Sequence, residues 1–292
     1  MCVSLRWKMC FSDWRSDAQA MIELRQIGTL AYKEFRDRIR NRWVLAIAVV
    51  FAVFALVIAY FGAAQQGAVG FRSIEITIAS LVSLVIYLIP LIALILGFDA
   101  IVGERERGSL DLLLSLPITR LELILGKYLG LSAALTLSTV AGFSVAGMAL
   151  ASQMDFNAVV HYSGFILSSV LLGMTFLSLA VMLSVFASTR AGASGFAIMV
   201  WFFYVLVFDL LLLGALVATG GHYGGAIFPY LLLLNPADVF RVLNIFSLED
   251  VRNLYGMATV FPEQLSHPAL LGGIMLLWIA GPLMIALWRF KK

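Results

Sequence analysis

The chain is 292 residues long, 62% hydrophobic and 13% charged, with a mean hydropathy of +0.97 and a net charge of +3. Soluble domains carry about 25% charged residues, so this composition excludes a soluble globule and makes the bilayer the solvent. Twenty cations set against 17 anions also give no basic stripe for a nucleic acid.

Residues 1–20 have no apolar period and are set apart as an N-terminal extension; Met21 is a second candidate start. Cys2 and Cys10 fit no zinc spacing and are expected as free thiols in a reducing compartment. Residues 21–42 form the next unit. Tyr32, Phe35, Ile39 and Trp43 recur at helical spacing while charged residues fill the other faces, which predicts a helix in the membrane interface. The first apolar run begins only at Trp43 and is long enough to remain as an anchor, so no cleaved secretory signal is expected.

Residues 43–292 form the membrane domain. A spanning helix needs about 20 apolar residues, and six windows satisfy that: 43–62, 76–97, 128–151, 164–187, 196–218 and 269–288. Backbone groups in lipid must bond within the segment, and period-2 alternation is absent, so the fold class is all-α with six transmembrane helices and no barrel. Pro90 should kink the second span by removing one backbone bond.

Orientation follows from the cations. With the N-terminus inside, nine Lys and Arg fall in residues 1–42, four in 98–127, one at Arg190 and three in the C-terminal tail, 17 of the 20. Only Arg72, Arg241 and Arg252 fall outside. That asymmetry predicts both termini in the cytoplasm.

The one long charged stretch in mid-chain is Phe98 to Lys127, between the second and third spans. Ser109 is expected to cap a short helix that Pro117 stops, with Leu110, Leu113 and Leu114 as its apolar face. Thr119-Arg-Leu-Glu122 reads as a capping box that starts a second helix running into the third span. Glu104, Arg105, Glu106 and Asp111 give the element charges of both signs. Gly126-x-x-x-Gly130 suits a close helix approach.

Beyond the third span, 152–163 is expected as a short external loop and 188–194 as a tight cytoplasmic turn. Asp209 is the single ionisable residue inside a span, at a cost of about 2.5–3.5 kcal/mol, and must face protein or water. Two readings stay open for it: a gate or latch at a dimer axis, or a hydrogen-bonded structural acid.

The external segment 219–268 holds Asn235, Pro236 and Asp238 as N-cap, first helical residue and first-turn acid. Val239, Val242, Leu243 and Phe246 come next at helical spacing, with Arg241 between them. They predict an amphipathic helix at the outer surface, lying on lipid or receiving a partner. His161, His222, His267, Met154 and Met257 also map outside, but no ligand spacing joins them, so no metal site is assigned.

The order Glu104-Arg-Glu-x-Gly108-Ser-Leu-x-Leu-Leu-Leu-Ser-Leu-Pro117-Ile-Thr-Arg120, ending in Gly126-Lys127, resembles the type-2 ABC transporter permeases. Tyr32 to Trp43 is similar to the interfacial helix that opens them. More narrowly, Trp201 to Leu210 and Leu231 to Asn244 are similar to permeases that serve copper-site maturation of nitrous-oxide reductase, in denitrification.

The resemblance implies a multi-pass protein of the bacterial inner membrane whose segment Glu104–Pro117, with Arg120, couples to a separate cytoplasmic ATPase. The ATP and Mg would sit on that partner. It also implies a second copy of the permease, as a homodimer, and a periplasmic beta-helical accessory protein over Asn235 to Phe246. The alternatives are an ABC-2 exporter of a lipid, drug or other hydrophobic substrate, a passive scaffold, or an intramembrane enzyme using Asp209 with an external histidine. Gly126-Lys127 is followed by Tyr128 and lacks an upstream glycine, so no phosphate-binding loop is present. His-Glu-x-x-His, Gly-x-Ser-x-Gly and Cys-x-x-Cys are absent too, and the chain is not expected to be an enzyme.

Overall fold

The computed structural model describes residues 24–61, 74–116, 118–151, 156–218, 220, 228–245, 265 and 267–291. All regular structure among them is helical. The elements are α1 (24–40), α2 (Trp43–Phe61), α3 (Ile74–Gly97), α4 (Val102–Glu106), α5 (Ser109–Ser115), α6 (Arg120–Leu150) and α7 (Phe156–Phe186). After these come α8 (Arg190–Phe202), a π turn (Phe203–Val207), α9 (Phe208–Ala218), α10 (Phe228–Leu232), α11 (Pro236–Ile245) and α12 (Pro268–Lys291).

Six helical segments are long and apolar enough to cross a membrane, as the hydropathy windows predict. Two extend well beyond those windows. The helices α6 and α7 are 31 residues each, about 46 Å at 1.5 Å per residue, against roughly 30 Å of hydrocarbon. Residues 156–163, expected as loop, are the first two turns of α7. The turn expected over 188–194 is also shorter, because Thr189 accepts the Gly192 N–H (3.2 Å) and starts α8 at Arg190. Pro90 lies inside an unbroken α3.

Helix α7 is the centre of the bundle. Two-thirds of its apolar window (67%) is buried by protein, against 22% for α2 and 17% for the α8–α9 span, which show most of their surface outward. A file of rings crosses the core: Phe51 of α2 stacks on Phe143 of α6 at 5.2 Å, Phe143 meets Phe165 of α7 edge-on, and Phe165 meets Phe240 of α11.

One end of the bundle carries α1, α4, α5, the α7–α8 turn and the end of α12; the other carries α10 and α11. Helix α11 has the amphipathic period expected of it, but it does not lie on a surface. Val239 and Phe240 are fully buried, Val242 is 5% exposed, and Pro236 and Ala237 are buried as well. Its Asn244 carboxamide oxygen accepts from Ser168 of α7 (3.0 Å). The helix is therefore inserted between α3, α7 and α12. The physical reason is that lipid and protein are equally apolar, so an apolar stripe does not say which of them it meets.

Candidate functional site

The charged stretch forms a braced hairpin at the end that carries α1. Gly108 is its hinge, at φ 71°, where a side chain would be strained. This corrects the capping expectation: the residue before α5 is Gly108, with no side-chain cap. Ser109 is the first helical residue, and its hydroxyl instead donates to the Glu104 carboxylate. Glu104 thus closes the α4–α5 hairpin across the hinge.

On α5, Leu110 is buried, while Leu113 and Leu114 are half-buried against the core. That is the predicted apolar face. Leu112 (71% exposed) and Leu116 (51%) point away from the bundle, within the segment Glu104–Pro117 expected to meet an ATPase. Pro117 lies outside the described residues. The capping box forms as predicted: Thr119 Oγ1 accepts the Glu122 N–H (3.2 Å) and Glu122 Oε2 accepts the Thr119 N–H (2.6 Å). Arg120 binds the Phe290 carbonyl and lies over the Phe290 ring at 5.6 Å, tying the start of α6 to the end of α12.

Two further anchors hold the hairpin. The first is the α7–α8 turn. The N–H groups of Ile101 and Val102 both donate to Ser184 Oγ (2.9 and 3.0 Å), and Arg105 donates to the Ala187 carbonyl (2.8 Å). Glu106 accepts the backbone N–H of Arg190 (2.8 Å), and the Arg190 guanidinium donates to Asp99 Oδ2 (2.9 Å) with its Nε in ion-pair contact with Oδ1 at 2.7 Å.

The second anchor is Lys127, on α6. Its ammonium is buried, with a side chain 7% exposed, and bridges Glu104 of α4 (3.2 Å) and Glu34 of α1 (3.3 Å). Glu34 also takes Arg38 at 3.3 Å. The approach depends on glycine: a Cβ on Gly126 would stand 2.6 Å from Leu30 Cβ, and one on Gly130 would stand 2.5 Å from the Ala31 carbonyl oxygen. Gly126-x-x-x-Gly130 is therefore the seat of α1. Lys127 sits between these glycines, where the sequence suggested only a cation flanking a span.

At the other end a second polar cluster joins α11 to the α8–α9 span. Asn235 caps α11 by accepting the Ala237 N–H (3.0 Å), and donates to Asp238 (2.9 Å) and to the Tyr204 carbonyl of the π turn (2.8 Å). Arg241 bridges Asp238 and Asp209, the latter at 3.0 Å. A π turn inserts about one residue and rotates the remainder of its helix by about 100°. Asp209 comes just after it and finds the guanidinium of Arg241. The carboxyl of Asp238 is 1% exposed; burial pushes it up to about 7, Arg241 opposes that, and the neighbouring Asp209 carboxylate adds to it.

Of the residues expected to face an outer partner, Asn235 and Asp238 are thus spent on this cluster and Val239 and Val242 on the core; Arg241 keeps partial exposure. Phe246, His222, Met154 and Met257 lie outside the described residues. His161 stands on the rim of an apolar cavity of about 580 Å³ between α3, α7, α11 and α12. His267 accepts the Ala269 N–H at 3.3 Å. Among the described residues no group of three or more His, Cys, Asp or Glu is placed to hold a metal ion.

Comparison with known proteins places residues 29–292 in a family described as ABC-2 family transporter protein. The chain is 42% identical over 273 residues to the probable ABC transporter permease protein NosY of Stutzerimonas stutzeri, covering 92% of this chain and 99% of that protein. It is 44% identical over 272 residues to the protein of the same description from Pseudomonas aeruginosa, covering 91% and 98%.

Proposed function

This chain belongs to the ABC-2 family of transporter proteins, as a permease subunit, and we propose that it transmits the closure of a separate ATPase to its own opposite end through α6. The observation that carries the proposal is the double bridge of Lys127. Any load on the α4–α5 hairpin reaches α6 at Glu104–Lys127 and again at the Thr119 capping box, at the helix start. From there a 31-residue helix runs to the other end.

In this reading the hairpin and both termini are cytoplasmic, the exposed Leu112 and Leu116 seat in the ATPase, and ATP and Mg stay on that subunit. Two copies of the permease form the membrane unit as a homodimer. The likeness to NosY proteins supports a role in copper-site maturation of nitrous-oxide reductase, with a periplasmic beta-helical protein as outer partner. Since α11 is inserted in the bundle, such a partner would meet the segments flanking it and Arg241, while the Asp209–Arg241 pair links α11 to the α8–α9 span. That pairing within the chain supports the reading of Asp209 as a hydrogen-bonded structural acid.

The test is Leu112→Asp, a change on an exposed side chain that leaves the core untouched. The expected result is normal insertion with loss of ATPase co-purification and of ATPase stimulation. Full stimulation in this variant would overturn the assignment of the hairpin. A second reading, export of a hydrophobic substrate, is favoured by the apolar 580 Å³ cavity beside α11. ATP-dependent accumulation of a fluorescent lipid in inverted vesicles would establish it, and a silent assay would leave the mechanical reading.

A further inference from the structure

A second cavity, of about 600 Å³, opens at the charged end between α1 and the adjoining ends of α2 and α3. Its two halves differ in chemistry. The half toward the spans is lined by Ile47, Ile92, Ile95 and Leu96, and Ile95 is 46% exposed on the outward side of α3. An apolar side chain half exposed within a span faces acyl chains, so this half is open to the bilayer.

The other half carries four cations, Lys33, Arg38, Arg107 and Arg190, and four carboxylates. Two of those carboxylates, Glu34 and Glu104, are shared with the buried Lys127 behind the wall, which tips the balance of the cluster to one positive charge. Arg190 is held by Asp99 and Arg38 by Glu34, whereas Lys33 and Arg107 have no carboxylate within ion-pair distance among the described residues; Arg107 gives its Nε–H to the Gly103 carbonyl (3.0 Å), which leaves its two terminal nitrogens for a ligand. The cavity thus offers two cations without an ion-pair partner among the described residues, beside an apolar groove that leads to the membrane.

The geometry points to an anionic phospholipid bound here, its phosphodiester on Lys33 and Arg107 and an acyl chain along Ile47, Ile92 and Ile95. Basic pockets between spans bind lipid head groups in this way. The occupant matters for mechanism, because it would fill the gap between α1 and the α4 hairpin, the two elements that Lys127 ties together.

The test is native mass spectrometry of the full purified chain after exchange into phosphatidylglycerol, phosphatidylethanolamine or soluble glycerophosphate. Wild type should retain phosphatidylglycerol in preference to phosphatidylethanolamine and should not bind glycerophosphate. Each cation removed should weaken retention about fivefold, from roughly 1 kcal/mol per cation near a lipid phosphate, so Lys33→Gln is expected to release lipid about fivefold more readily. Asp37→Asn removes a lining carboxylate and should strengthen retention by a similar factor. A misfolded protein would not gain affinity, so the opposite signs of these two variants separate binding from damage. Equal retention in wild type and both variants would overturn the proposal. Glycerophosphate binding as strong as that of the lipid would overturn it as well, by making the site one for a soluble phosphate.

Discussion

Replacing Lys127 by methionine keeps the length and apolar stem of the side chain and removes only the charge that joins three elements. Glu34 and Glu104, 12% and 16% exposed, would then face each other without their shared cation. Breaking a buried ion pair from one side costs about 3–5 kcal/mol; partial access to water reduces that here to roughly 2–4 kcal/mol. At about 2–4 °C per kcal/mol for a domain of this size, the apparent Tm should fall by roughly 4–16 °C. The assay is thermal unfolding of the purified chain in detergent, run as a cycle. In a Glu34→Gln, Glu104→Gln background the same Lys127→Met change should cost less than about 1 kcal/mol, because no carboxylate is left unpaired. An equal loss in both backgrounds would show that Lys127 acts through packing and refute the bridge.

Three other outcomes are expected. Gly130→Ala sets a Cβ 2.5 Å from the backbone oxygen of Ala31, which cannot rotate away, so α1 should lift from α6 at a cost of about 1–3 kcal/mol; faster tryptic cleavage at Arg36 and Arg38 would report it. Asp238, whose folded pKa is raised from 3.8 to about 7, binds a proton more tightly folded than unfolded, so its contribution is fully present below about pH 4, is lost as pH rises to about 7, and is flat above. Thermal scans across that window should show the slope in wild type and a shallower one in Asp238→Asn. Finally, Asp209→Asn removes one of the two carboxylates on Arg241 and should weaken the join between α11 and the α8–α9 span, which hydrogen exchange at residues 236–245 would detect as faster opening.

The spans, the Thr119 box and the Asn235 cap were legible because each rests on local rules: length of apolar run, or a side chain reaching its own backbone. The rest depended on what comes near in space. Lys127 looks in sequence like any cation at the foot of a span, and only the two flanking glycines hinted that another helix lies on it. Ser109 has the right chemistry for a cap, but the glycine before it takes the left-handed turn and frees the hydroxyl for Glu104. The π turn left no signal of its own, since Phe203 to Val207 reads as a continuous apolar helix. The direction of α11 was hidden for a deeper reason: its apolar stripe has the same period whether it meets lipid or α7. The two polar residues that could have decided it were Asn235 and Arg241, whose side chains meet the carbonyl of Tyr204 and the carboxylate of Asp209 only if α11 packs against the α8–α9 span.

The central claim is that movement of the α4–α5 hairpin is carried along α6 to the opposite end. Its most direct measurement is the distance between spin labels at Met148 of α6 and Val217 of α9, both exposed near that end, in the assembled complex with and without trapped ATP. The account predicts a nucleotide-dependent shift in wild type that disappears in Lys127→Met while the ATPase remains bound. The same distance distribution in both nucleotide states, or a shift that survives the loss of Lys127, would contradict it.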